Sequence, residues 1–136
     1  VTLLHEIGHD HLRINLDFLH IWESGLDPLK GLELLKPWVD NFHLKNIASS
    51  EQLDVFLPAN VYSANGSRRG MVPLHAGQID YVRILEAIQH FNVFAALEWF
   101  GARPLRMLHD ELAWIRNQKS TLGTEEAGVV GQYSQV

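Results

Sequence analysis

The stretch Leu12-Arg13-Ile14-Asn15-Leu16-Asp17-Phe18-Leu19-His20 decides how this sequence is to be read. Across residues 12–17 apolar and polar side chains alternate, Ile14 and Leu16 against Asn15 and Asp17, which is the period of a strand. The strand ends on a carboxylate. Two further segments share that trait. Residues 39–46 read as a strand with His43 and Lys45 near its end, two apart and therefore on one face. Residues 93–99 read as a third strand, with Glu98 near its end on the face opposite Leu97.

Helical patterns separate these strands. Residues 1–7 form the end of a helix closed by Gly8, and they begin inside an amphipathic pattern (Val1, Leu3, Leu4, Ile7) as though the sequence were cut mid-helix. Asp27-Pro28 marks a helix start, with Asp as N-cap and Pro at the first helical position. Leu29, Leu32 and Leu35 supply its stripe, and Pro37 stops it. Residues 79–90 carry Val82, Leu85 and Ile88 on one face, and Pro104 opens a last helix bearing Leu105, Leu108, Leu112 and Ile115. Residues 47–78 lack periodicity and are rich in Gly, Pro, Asn and Ser. So long a loop is expected to be a lid or binding segment. Residues 119–136, almost devoid of large apolar side chains, are expected to be a disordered tail.

The order is α-β-α-β-loop-α-β-α. Alternation of this kind implies parallel strands joined by right-handed crossovers, with all strand C-termini on one rim. Asp17, His43, Lys45 and Glu98 then converge where α/β enzymes keep their active sites.

The sequence has 136 residues, a net charge of −5 and no cysteine. That is enough for a core, but a full α/β barrel needs about 250 residues. No disulfide framework is available, so a reducing cytoplasm is the default compartment. No run approaches the roughly 18–20 apolar residues that span a bilayer, and residue 1 does not open a signal-peptide pattern. The acidic balance, with Arg68-Arg69 the one basic pair, argues against nucleic acid as a partner.

Asp, His and Glu together suit Mn²⁺, Mg²⁺, Co²⁺ or Zn²⁺ better than soft metals. Spacing alone leaves a plainer alternative open: solvated strand-end carboxylates at Asp17 and Glu98, and a hydrogen-bonded core histidine at His43. Other candidates are weaker. His9-Asp10-His11 precedes the first strand, at the opposite end of the sheet, and reads as a solvated turn. His75 lies in the long loop. His5, His90 and His109 read as helix-face residues. Gly66-Ser67-Arg68-Arg69-Gly70 lacks the strand-to-helix setting and the lysine of a phosphate loop, so it suggests at most a lid with an anion-seeking arginine. Trp22, Trp38, Trp99 and Trp114 read as core or pocket wall.

Asn15-Leu16-Asp17-Phe18-Leu19-His20 resembles the N-x-D-x-x-H motif of the sugar phosphate isomerase/epimerase superfamily, whose fold is a xylose isomerase-like TIM barrel. Phe42-His43-Leu44-Lys45-Asn46 is similar to its H-x-K strand. Val72-Pro73-Leu74 with Gly77-Gln78-Ile79-Asp80-Tyr81 is similar to its entry to the next helix, and Leu97-Glu98-Trp99 to its terminal strand. Three longer strings sharpen the resemblance: residues 15–25, Asn60-Val61-Tyr62 with Gly70-Met71-Val72-Pro73-Leu74, and Leu97-Glu98-Trp99-Phe100-Gly101. Together they resemble the 3-dehydroshikimate dehydratases of siderophore biosynthesis and quinate catabolism, lyases that make protocatechuate and water.

The resemblance implies an α/β fold in which residues 1–118 form the C-terminal portion, about the last three βα units, of a (β/α)₈ barrel. It implies that Asp17, His43 and Glu98 are three of four ligands to a divalent metal (Mn²⁺, Mg²⁺ or Co²⁺), the fourth being a Glu on the strand before Asp17. It makes His20 and Lys45 catalytic and substrate-contacting, and Tyr62 a substrate-binding loop residue. A small-molecule substrate is implied, with neither nucleic acid nor membrane as partner. Two rival expectations stand beside it: a keto-sugar or inosose isomerase/epimerase of the same superfamily, and a truncated, non-catalytic barrel fragment. As a piece of a barrel, the chain would leave the strands at 12–17 and 93–99 as open edges, which invite aggregation or homo-oligomerisation.

Overall fold

The computed structural model describes residues 1–129, with side chains to residue 118. Three strands form one sheet: β1 (Ile14–Asp17), β2 (Val39–Leu44) and β5 (Phe94–Leu97), in the order β1-β2-β5. Both pairings are parallel. The three expected strands therefore lie where the sequence reading put them, trimmed by one or two residues at their ends. A second sheet was not foreseen. Two-residue strands β3 (Asn46–Ile47) and β4 (Met71–Val72) pair antiparallel and staple the ends of the long loop.

Helix boundaries follow local chemistry. α1 (Thr2–Ile7) ends at Gly8, whose φ of 54° is a left-handed conformation suited to glycine. α2 (Phe18–Glu23) starts directly on Asp17, whose carboxylate accepts the Leu19 and His20 backbone N–H groups. α3 (Pro28–Leu35) is capped by Asp27 in the same way, and α5 (Tyr81–Ile88) by Asp80. Inside the loop, a 3₁₀ segment (Ser50–Phe56) leads into a single-turn helix, α4 (Pro58–Val61). α6 (Pro104–Val129) runs through the first part of the segment expected to be a disordered tail, since no proline after Pro104 interrupts it. Residues 130–136 of that expected tail lie outside the described residues.

The sheet separates core from chemistry. Leu16, Phe42 and Leu44 face the helices and are almost fully buried with Phe18, Leu32, Ile84 and Leu85. Phe18 stacks on Phe42, and Phe91 meets Phe42 edge-on. Each such buried aromatic stabilises the fold through area removed from water, at roughly 25 cal/mol per Å². Asn15, Asp17, Asn41, His43 and Glu98 belong to the other, polar face, which is less deeply covered.

The register on that face contains an irregularity. Ile14 pairs with Val39, but Asn15 pairs with Asn41, so Asp40 is an extra residue in β2. The step brings Asp17 opposite His43.

Glu111 of α6 ties the last helix to the loop. Its carboxylate is buried and accepts the Leu74 N–H through both oxygens, at 3.1 and 3.3 Å. Burial pushes its pKa above the usual glutamate range, against the pull of the Leu74 N–H and of the His75 charge. A carboxyl raised in this way contributes its full stability below the ordinary glutamate range and loses it as pH rises through the raised value. Urea denaturation from acid to neutral pH is expected to show wild type falling behind Glu111→Gln by on the order of 1 kcal/mol. Parallel pH profiles would contradict it.

β1 and β5 each have one unpaired edge among the described residues. The 136-residue chain expressed alone is expected to self-associate through these edges. Sedimentation velocity checks this, and a monodisperse, cooperatively melting monomer would count against it.

Candidate active site

The C-terminal ends of β1, β2 and β5 carry Asp17, His43 and Glu98 to one place. One ligand atom from each lies within 4.8 Å of the others. No other cluster of three or more metal-ligating side chains is found among the described residues, so His9, Asp10 and His11 do not form one. His9 and His11 tilt against each other at the start of β1 instead, and His75 packs against Trp114.

Local folding fixes each donor. Asp17 spends Oδ1 on capping α2, which leaves Oδ2 for the site. His43 is the middle-strand residue between Asp17 and Ala96, and its Nδ1 lies 3.3 Å from Glu98 Oε2. Glu98 follows β5 and is held to the middle strand β2 by a ladder bond from its own N–H to the Leu44 carbonyl. Two carboxylates and an imidazole make a donor set for a hard or borderline divalent cation. With one donor atom of each within 4.8 Å of the others, Asp17, His43 and Glu98 would hold such an ion. The three side chains thus fit the ion that their types suggested.

Lys45 sits among them. Its Nζ is 2.9 Å from Asp17 Oδ2 and 2.8 Å from Glu98 Oε2, and only 5 % of its side chain is exposed. Burial alone would lower its pKa, but the hydrogen bonds and charges of Glu98 and Asp17 outweigh it and the net shift is upward. The ammonium therefore stays charged. One cation against two carboxylates leaves a net negative charge, which attracts a divalent ion. Phe56 lies under the ammonium, its ring centroid 4.9 Å from Nζ.

The Lys45 backbone is anchored from outside the site. It donates its N–H to the Tyr81 hydroxyl at 3.0 Å, and that hydroxyl donates back to the Lys45 carbonyl at 2.7 Å. Burial pushes the Tyr81 hydroxyl far up, so it remains a donor. The next residue, Asn46, is 1 % exposed and clamps the loop: its amide donates to the Leu74 and Ile79 carbonyls and accepts from the Ile79 N–H. Gly77 lets the chain pass there, because a Cβ would collide with the Asn46 side chain.

His20 lies at the rim, more than half exposed. Its Nε2 is 3.5 Å from Asp17 Oδ2 and its Nδ1 is 3.0 Å from Glu23 Oε2. It lines a cavity of about 290 Å³ with Lys45, Phe56, Tyr62, Glu98 and Phe100. Phe56 and Phe100 meet edge to face across 6.4 Å. All six side chains singled out from the sequence thus fall in or beside one cavity. Four partners were given no role in the site from the sequence: Tyr81, Asn46, Phe56 and Glu23. The i, i+3 spacing of His20 and Glu23 is a helix-face signal that could have found the last.

The whole of residues 1–118 matches the family model of the xylose isomerase-like TIM barrel. A 3-dehydroshikimate dehydratase of Bacillus anthracis is 47 % identical over 118 residues, covering 87 % of this chain and 42 % of the relative. A crystal structure of the probable 3-DHS dehydratase AsbF involved in petrobactin synthesis, from the same organism, superposes with a TM-score of 0.81 and 48 % identity. That match covers 82 % of this chain and 41 % of the other. The chain spans about two fifths of the length of these relatives. No helix among the described residues is long and apolar enough to cross a membrane.

Tyr81→Phe tests how the site is anchored. It removes one hydroxyl and leaves the buried Lys45 N–H without an acceptor, at an expected cost of about 1–3 kcal/mol in urea denaturation. A loss below a few tenths would show that Lys45 is held by its ion pairs alone.

Proposed function

The chain belongs to the xylose isomerase-like TIM barrel family, and on that premise we propose that it is the C-terminal part of a metal-dependent 3-dehydroshikimate dehydratase. The observation that carries this reading is the gathering of Asp17, His43 and Glu98 within ligand reach, in a chain nearly half identical to such a dehydratase. The likeness to a petrobactin-synthesis protein favours siderophore biosynthesis over quinate catabolism as its setting.

In this reading Asp17, His43 and Glu98 hold a divalent ion of the Mn²⁺, Mg²⁺ or Co²⁺ class, joined by a fourth ligand from the preceding strand of the complete barrel. When bound, the ion supplies Lewis-acid polarisation of the substrate ketone. The protein's own groups do the rest. The substrate loses a proton next to the carbonyl, then its β-hydroxyl as water, and a further proton shift completes the aromatic ring. His20 is suited to move a proton, because an imidazole can both donate and accept one and its ring opens onto the cavity. Glu23 at Nδ1 fixes which way that ring faces. Lys45, held on two sides by Asp17 and Glu98, offers its remaining donor capacity to the substrate carboxylate or to oxygen charge developing in the transition state. Tyr62 contacts the substrate from the loop, while Phe56 and Phe100 give a flat ring an apolar wall and keep water off it.

The test is product formation by the intact enzyme with Mn²⁺ and 3-dehydroshikimate, followed through the ultraviolet absorbance of protocatechuate. Wild type is expected to release the aromatic product and to lose activity on chelation. Glu98→Gln and His43→Ala are each expected to lower turnover about 10²–10³-fold and to weaken Mn²⁺ binding by calorimetry. Full activity in either variant would remove the metal assignment. Isomerisation of a keto-sugar or inosose without an aromatic product would move the protein to the rival chemistry of its superfamily.

A further inference from the structure

The Gly66-Ser67-Arg68-Arg69-Gly70 run, which the sequence offered as an anion-seeking lid, is arranged for something else. The Arg68 guanidinium turns back onto its own loop. Nη1 donates to the Asn60 and Ser67 carbonyls, and Nη2 donates to Val61 at 3.3 Å and to Ser63 at 3.1 Å. A guanidinium is a planar fork of five donors, and here the fork grips four backbone acceptors. Two of them, Val61 and Ser63, are the immediate neighbours of Tyr62.

Independent contacts close the same loop. The Asn60 side chain accepts the Ser67 N–H at 2.9 Å and donates to the Asp54 carbonyl at 2.8 Å. Gly66 donates its N–H to Ser63 and lies so close to Asn60 that an added Cβ would overlap the Asn60 backbone. The chain from 60 to 68 is thus a closed loop with Arg68 as its cross-strut. Tyr62 stands outside it, 86 % exposed, and still borders the cavity of His20, Lys45 and Glu98. Nothing in its own packing holds an exposed ring at that border, so its placement comes from the backbone on either side.

We propose that Arg68 is a positioning residue: by gripping the carbonyls before and after Tyr62 it sets that ring over the substrate cavity. The proposal rests on the reading of the cavity as a substrate site. It places Arg68 in no contact with the substrate, and it explains why a basic side chain in a binding loop points inward. Lysine cannot substitute, because a single ammonium does not span the four carbonyls.

The experiment is a double-mutant cycle in the intact enzyme with Mn²⁺ and 3-dehydroshikimate, paired with limited chymotrypsin digestion. Arg68→Ala is expected to raise KM about tenfold with little change in kcat, and to add nothing once Tyr62→Ala is present. Arg68→Lys should resemble Arg68→Ala rather than wild type. Chymotryptic cleavage after Tyr62 should quicken about tenfold in Arg68→Ala at unchanged Tm, because the loop opens without the core. Additive losses in the double variant, an unchanged KM, or full function in Arg68→Lys would overturn the proposal. If wild type yields no aromatic product, the functional reading fails on its own. The digestion then still judges the strut, and unchanged cleavage would overturn that too.

Discussion

Asp17 stands opposite His43 only because β1 and β2 slip past each other by one residue. In a parallel sheet side chains alternate between faces, so a shift of one residue moves a whole set of groups to the other side. Continuing from the Ile14–Val39 pair without the extra Asp40, Asp17 would stand opposite Phe42, a residue of the helix-facing core. With the extra residue, Asp17 meets His43 and Leu16 meets Phe42. One irregularity thus delivers a carboxylate to the polar face and an aliphatic side chain to the core together. Bulges of this kind are found beside active sites because they re-aim side chains there.

Gathering like charges has a cost, and Lys45 meets it. Two carboxylates near one point repel, and their partial burial strips water from both. The ammonium between them neutralises one charge and keeps both oxygens turned inward. Removing it would leave buried charge unpaired, which costs far more than an exposed ion pair contributes. Tyr81 and Asn46 then make the lysine's backbone part of the core rather than of the loop. The charged centre and the apolar core are therefore joined at residues 45 and 46, just past the end of the middle strand.

The sequence was legible where a signal is local. Alternation placed β1 to within two residues, Asp27-Pro28 gave the start of α3, and Gly8 gave the end of α1. Strand-end polar residues announced the cluster of Asp17, His43 and Glu98, since parallel pairing alone sends strand C-termini to one rim. What stayed hidden depends on contacts with no local mark. Tyr81 meets Lys45 from 36 residues away, and Glu98 meets it from 53. α2 is six residues long, too short for a 3.6-residue period to declare itself. The β3–β4 pair contributes two residues per strand, fewer than any pattern needs. Arg68 misled because its composition suits an anion equally well; only the positions of four carbonyls show that its donors are already used.

These arrangements divide stability from chemistry along the thickness of one sheet. Phe42 and Leu44 pack on the helices while His43, between them in sequence, joins Asp17 and Glu98 on the polar face. Changes at His43, Glu98 or His20 touch partly exposed groups and should alter the chemistry more than the fold. Tyr81 and Asn46 are different, since each is buried, hydrogen-bonded at two or more points and attached to the segment bearing Lys45. Through them the helix α5 and the loop closure at β3 set where the ammonium stands, and so where the carboxylates meet. The loop then adds a wall, with Phe56 beside the buried Val55 and Tyr62 exposed at the cavity border. Residues 48–70 can therefore change without disturbing the register that brings Asp17, His43 and Glu98 together on the sheet.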